Sequence, residues 1–388
     1  MPHHDLRSPM KLVVTVNSSF NVVNFRSGLL RALMAAGHEI TVLAPRDEYT
    51  DAILSGIGCG YVELKMNRRG TSPVQEARCL RAMIGHIRTL RPDAILSYTI
   101  KNNLYAGLAA RLTRTPIIPN VTGLGSVFSD KGPWAAVAAR AYRHAFRAAP
   151  TVFFQNLEDQ EAFLRAGLVA SETARLLPGS GVDLARFTAS PVPARPEAPV
   201  FLLVARLLWE KGIGEYAEAA RLVRKTFPKA VFRLAGGLEA PGRAAVPEAV
   251  LAQWQAEGII EYLGRQRDIR PVLGQATCVV MPSYYREGTP RALLEAGACG
   301  RPVITTDTAG CRTAVIDGES GFLVAPRDSQ GLGQAMLRIA GAPQDRLQQM
   351  GTAGRALAER QFDEKIVIRA YTEAVSEIAG VQNRPGLL

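Results

Sequence analysis

No run of eighteen apolar residues occurs in this 388-residue chain, so no segment reads as a helix long enough to cross a membrane. The first residues, MPHHDLRSPMKLVV, lack the apolar core of a secretory peptide; folding is expected from near Met10, and a cytoplasmic chain is expected. Five cysteines, an odd number without C-x-x-C spacing, argue against a disulfide framework and a zinc site, and are expected as buried thiols. The five histidines form neither H-x-H nor H-E-x-x-H. There is no D-x-D pair to clamp a metal–diphosphate and no complete G-x-G-x-x-G, which weakens a nicotinamide-dehydrogenase reading. Acidic residues are also short: Lys and Arg exceed Asp and Glu by 11 overall, and residues 1–187 carry +8 of that excess. A field of that sign favours phosphorylated substrates, anionic lipid or nucleic acid.

What is present is a repeated alternation of short β-branched runs and amphipathic stretches. KLVVTV, EITVLA and the runs at 61–64, 94–98, 117–121 and 151–155 predict one set of strands; VFLLV, VFRLAGG, IIEYLG, TCVVMP, PVITT and 321–324 predict another. Such alternation implies βαβ units and parallel sheets, hence an α/β chain of two Rossmann-like, doubly wound domains. We expect an N-terminal domain over 10–187, a proline-rich linker over 188–199, a C-terminal domain over 200–365, and a terminal helix and tail over 366–388 that crosses back to the first domain.

Ligands in parallel sheets bind where strands end, so the loops there supply candidates. In the first domain these are Asn17 in the polar loop 17–24, Lys101 and Asn102 after the strand at 94, and Thr122, Gly123 and Gly125 after the strand at 117. The helix at 134–149 combines Arg140, Arg143, His144 and Arg147 with Trp134, Tyr142 and Phe146, a composition suited to an anionic membrane surface. In the second domain, Arg206 and Lys211 follow the first strand, Gly236 the second, and Gly264 with Arg265 the third. Two cations near a strand end suit a diphosphate.

The densest stretch is PSYYREGTPRALLEAGACGRPVITTD, residues 282–307. Thr289 reads as an N-cap and Pro290 as the first helical residue, which places Glu287 in the loop ahead and Glu295 in the second turn. The N–H groups of the first turn then lie between two acids, a place favourable to phosphate.

Taken in order, Arg206-x-x-x-x-Lys211-Gly212, LAGG, YLGR, the 282–307 stretch and DGESGFLVAP resemble the family GT4 retaining glycosyltransferases of GT-B fold. KNNLYAGLAARL, NVTGLGSVF and FFQNLEDQEAFL are similar to its CapM/PglA-like subgroup, which assembles capsule, O-antigen, exopolysaccharide and glycoprotein glycans. That resemblance implies two domains facing a cleft and transfer of a sugar from a nucleotide sugar, UDP-linked in preference to GDP-linked. The implied acceptor is a polyprenyl-diphosphate-linked saccharide at the inner face of the plasma membrane. It further implies that Arg206 and Lys211 hold the diphosphate, Glu287 the donor-sugar hydroxyls, Gly288, Thr289 and Pro290 the phosphates, Glu295 the ribose, and Arg265 the base. No cofactor and no divalent metal are expected. Many members carry a histidine where this chain has Thr122, so a general base there finds no support. Alternatives are a nucleotide-sugar 2-epimerase of the same fold and a GDP-mannosyl-type transferase. A basic nucleic-acid-binding protein is disfavoured, because no recognition motif is present.

Overall fold

The computed structural model describes residues 9–66, 72–123, 133–147, 149–195, 197–239 and 242–382. Gly125 and the side chain of Trp134 lie outside what is described. The chain divides into two compact units, Met1–Gly181 with Glu364–Leu388, and Val182–Asp363.

The first unit holds a seven-stranded sheet of β1 (Lys11–Thr15), β2 (Glu39–Ala44), β3 (Gly60–Glu63), β4 (Ala94–Tyr98), β5 (Ile117–Val121), β6 (Val152–Phe154) and β7 (Ala174–Leu176), in the order β3-β2-β1-β4-β5-β6-β7. Every pairing is parallel, with Val13 opposite Thr41 on one side and Ile95 on the other. Alternate residues of β1 enter different layers. Leu12 and Val14 pack with Tyr371 and Val375 of the terminal helix Glu364–Gln382, and Val13 packs with Met83 and Ile87 of the helix Pro73–Leu90. β4 is buried along its whole length, as both-face coverage of a parallel sheet demands. The terminal helix is part of this unit: Asn120 Nδ2 donates to Tyr371 Oη at 2.9 Å.

Two expectations for this unit change. The stretch 17–24 is not a polar loop, because Ser19–Phe25 is helical. Asp47 accepts the Ser19 N–H at 2.8 Å and so caps that helix from a distant segment. On the basic helix, Pro133–Phe146, two of the expected aromatic side chains turn inward. Tyr142 and Phe146 are buried, with ring contacts to Phe163 at 5.4 and 6.2 Å. Arg143 donates to the carbonyls of Ala166 and Gly167. At helical spacing the rings fall on the core side and Arg140, His144 and Arg147 on the solvent side.

The second unit holds β8 (Val200–Val204), β9 (Val231–Ala235), β10 (Glu261–Gly264), β11 (Cys278–Met281), β12 (Val303–Thr306) and β13 (Gly321–Val324) in one parallel sheet, ordered β10-β9-β8-β11-β12-β13. The helix Ile213–Arg224 packs on one face with Ser329–Ala340, and Arg291–Ala298 packs on the other. The segment expected as a linker is strapped to this unit. Fully buried Arg301 donates to the Ser190 carbonyl at 2.5 Å and the Pro191 carbonyl at 2.9 Å, and Val192 is buried in the core. Its prolines give an extended strap whose carbonyls satisfy a buried guanidinium.

All five cysteines are buried thiols, as expected, and burial pushes Cys59 and Cys299 up to about 11. Among the described residues no helix is long and apolar enough to cross a membrane.

Candidate functional site

Strand order in the second unit reverses between β8 and β11, and the loops leaving these neighbours open a crevice at their carboxyl ends. From β8 the chain passes Arg206 and a short turn, Trp209–Lys211. From β11 it passes Pro282 and Ser283 to Glu287. The two loops touch through backbone. Gly212 sits at φ 75°, and a Cβ there would lie 2.1 Å from the Pro282 carbonyl, so only glycine fits. The Tyr284 N–H donates to the Glu210 carbonyl at 3.0 Å.

This contact brings together two residues 76 positions apart. Lys211 Nζ donates to Glu287 Oε2 at 2.5 Å, with the lysine side chain 7% and the glutamate side chain 18% exposed. Ser283 Oγ donates to Glu287 Oε1 at 2.8 Å, and Thr306 in turn donates to the Ser283 carbonyl. The ammonium also lies 5.5 Å from the Tyr285 ring centre. Removing one partner of so buried a pair costs about 3–5 kcal/mol. An arriving anion therefore has to share Lys211 with Glu287. The carboxylate has both oxygens engaged by donors, which holds it in one orientation.

Arg206 stands apart from this pair. It is half exposed and donates to Glu239 Oε1 at 3.2 Å. Arg265 is exposed after β10, next to Gly264 at φ 65°. Gly236, directly after β9, donates its N–H to the Gly264 carbonyl at 2.9 Å, joining these two strand ends.

The helix after Glu287 begins at Arg291, with Pro290 extended in the capping position, so Thr289 lies one residue further out than expected. Glu295 still falls in the second turn. Arg291 Nε donates to Glu295 Oε1 at 3.0 Å, an i,i+4 pair only 11% and 14% exposed. Burial raises the Glu295 carboxyl above its ordinary range, and Arg291 offsets part of that rise. Gly288 is fixed from behind by the short helix Ala309–Arg312: a Cβ on Gly310 would come 2.0 Å from the Gly288 carbonyl and 2.5 Å from that of Glu287. Sequence reasoning passed over Ser283, Arg291 and Gly310. Only Arg291 carried a signal, its spacing from Glu295.

In the first unit the strand order reverses between β1 and β4. Asn17, half-buried, follows β1, while Thr122 and Gly123 follow β5, Gly123 at φ 110°. Lys101 donates to Glu76 Oε1 at 2.7 Å. Asn102 is not an open acceptor contact. It is fully buried, accepts from Thr15 Oγ1 at 2.7 Å and donates to Thr99 Oγ1 at 3.0 Å, and so fastens the ends of β1 and β4. Thr99 itself has φ 74° and ψ 153°, a conformation that a β-branched residue holds only under strain.

Comparison with known proteins follows the same division. Residues 198–341 match the family described as glycosyl transferases group 1, and residues 23–179 match the glycosyl transferase 4-like domain. The chain is 26% identical over 386 residues to the Campylobacter jejuni N,N'-diacetylbacillosaminyl-diphospho-undecaprenol alpha-1,3-N-acetylgalactosaminyltransferase, covering 95% of this chain and 99% of that one. It is 24% identical over 288 residues to the Escherichia coli UDP-Gal:alpha-D-GlcNAc-diphosphoundecaprenol alpha-1,3-galactosyltransferase, covering 70% and 72%. In fold it is similar to Anabaena Alr3699/HepE, solved with UDP and glucose, at TM-score 0.77 and 20% identity over 95% of this chain and all of the other.

Proposed function

We propose that this chain, a glycosyltransferase built from a glycosyl transferase 4-like domain and a glycosyl transferases group 1 domain, moves a sugar from a UDP-sugar to a polyprenyl-diphosphate-linked saccharide, with retention of configuration and without a metal ion. The Lys211–Glu287 pair at the β8–β11 crevice carries this reading. A diphosphate entering there takes up Lys211, with Arg206 at the same strand end and the N–H groups of the helix Arg291–Ala298 beside it. Those cations and dipoles neutralise the charge that grows on the leaving phosphate, the task a metal performs elsewhere. Glu287, freed from part of its ion pair and still held by Ser283, accepts hydrogen bonds from donor-sugar hydroxyls.

In the retaining step the acceptor hydroxyl approaches on the face from which UDP departs. The anomeric C–O bond to the phosphate breaks and the C–O bond to the acceptor forms. The acceptor proton passes to the departing phosphate oxygen, through an oxocarbenium-like transition state. A lipid-diphosphate acceptor agrees with the names of both relatives, and UDP with the name of the Escherichia coli one and with the ligand of the Anabaena protein. The +8 balance of residues 1–187 suits a diphosphorylated acceptor at the inner face of the plasma membrane.

A binding and turnover series tests the reading. Glu287→Gln should abolish transfer while UDP affinity changes less than threefold, and Lys211→Ala should weaken UDP at least tenfold, as loss of a charge-assisted contact implies. Full activity in Glu287→Gln, or a thermal shift with GDP and none with UDP, would overturn it. Conversion of a UDP-sugar with no acceptor present would instead mark an epimerase.

A further inference from the structure

The second unit carries a pocket of about 530 Å³ that neither Glu287 nor Glu295 lines. Its walls are aromatic and polar at once. Trp209 and Trp254 meet edge to face, 6.1 Å between ring centres, and the Arg327 guanidinium lies 4.4 Å from the ring centre of Tyr284. Glu215 and Glu218 add carboxylates and Ser329 a hydroxyl. At Gly214 a Cβ would stand only 3.3 Å from the Trp209 ring, so the glycine lets the indole seat against the start of its helix.

Charge decides what fits. Arg221 binds Glu218 at 2.5 Å and Glu257 at 2.6 Å, and Arg327 faces the same space as Glu215. Glu215, Glu218 and Arg327 thus line the pocket, and Arg221, which Glu218 shares with Glu257, stands behind it. An anion meets the acids and a cation meets Arg327, whereas a neutral polyol can donate to the first and accept from the second. A neutral pyranose suits these walls: its C–H face lies against the half-buried Trp209 and Tyr284 rings, and its hydroxyls donate to the carboxylates and accept from the guanidinium.

We propose that this pocket is a saccharide-binding site separate from the transfer site. Trp209 and Trp254 pack with the core layer of the helix Ile213–Arg224, whereas the helix of Glu295 packs with the opposite layer. The two sites nonetheless share their backbone. Trp209 stands two residues before Lys211 and Tyr284 directly follows Ser283, and the two segments are hydrogen-bonded between Tyr284 and Glu210.

Two of the chain's three tryptophans line the pocket, so intrinsic fluorescence reports on it. The full chain would be titrated with glucose, galactose, N-acetylglucosamine and N-acetylgalactosamine, and separately with choline and inorganic phosphate. At least one sugar should give a saturable change; choline and phosphate should give none. Glu215→Ala should weaken that sugar about tenfold, as loss of a hydrogen bond to a charged group implies, while its UDP thermal shift stays that of the wild type. Ser329→Tyr, which fills the pocket from its rim, should abolish the signal, and Glu287→Gln should leave it intact. The proposal is overturned if no sugar saturates, if choline or phosphate binds instead, if both pocket variants bind as the wild type does, or if Glu287→Gln removes the signal.

Discussion

Glu295 shows how a single carboxyl is set by opposing terms. Burial favours its neutral form and Arg291 the charged one, and burial prevails. Because its folded pKa lies above the ordinary value of 4.5, the folded chain holds this proton more tightly than the unfolded chain does. Its contribution to stability is therefore present at acid pH and lost as pH rises through the folded value. Glutamine reproduces the neutral form. Glu295→Gln should unfold at neutral pH at a temperature no lower than the wild type, and should lose the decline in melting temperature above pH 4.5. Differential scanning fluorimetry across that range checks this; a drop of several degrees at neutral pH would mean that the Arg291 pair outweighs burial. If Glu295 accepts ribose hydroxyls, wild-type UDP affinity should fall on acidification relative to Glu295→Gln, a comparison that cancels the titration of the nucleotide itself.

At the scale of an element, the loop 282–290 is hemmed in by the backbone of other elements. Gly212 presses on Pro282 and Gly310 on the carbonyls of Glu287 and Gly288. Gly310→Ala forces those carbonyls away, with an overpacking cost of about 1–3 kcal/mol. We expect a melting temperature several degrees lower and a turnover loss larger than the change in UDP affinity; unchanged turnover would remove Gly310 from any positioning role. These contacts also mark where sequence stops being informative. VFLLV at β8 and AILSY at β4 declare themselves as strands, since apolar runs of that length between turn residues leave few alternatives. The Glu287 and Glu295 positions follow from local helix-start chemistry. The Lys211–Glu287 pair does not, because strand order joins residues 76 apart. Nor does the helix Ser19–Phe25, whose N-terminal donors are met by Asp47, or the three-residue edge strand β7, too short to show a period.

For the whole molecule, the terminal helix Glu364–Gln382 is an integral part of the first unit. Val367, Tyr371, Val375 and Ile378 are each at most 4% exposed. Burying one such side chain contributes about 1.5–3 kcal/mol, so four match the roughly 5–15 kcal/mol stability of an ordinary domain. Truncation after Asp363 should therefore abolish soluble expression or the first unit's cooperative transition in calorimetry. A truncated chain melting as the full chain does would show the helix to be dispensable.

The chain leaves its first unit at Gly181 and returns to it at Glu364. This has a consequence for synthesis on the ribosome. The second unit, Val182–Asp363, is continuous and is complete before the last residues are made, whereas the first cannot finish its core until Tyr371 and Val375 emerge. The half that begins first thus matures last. It waits with one layer of its core lacking Tyr371 and Val375, in the partly folded condition in which large chains call on chaperones.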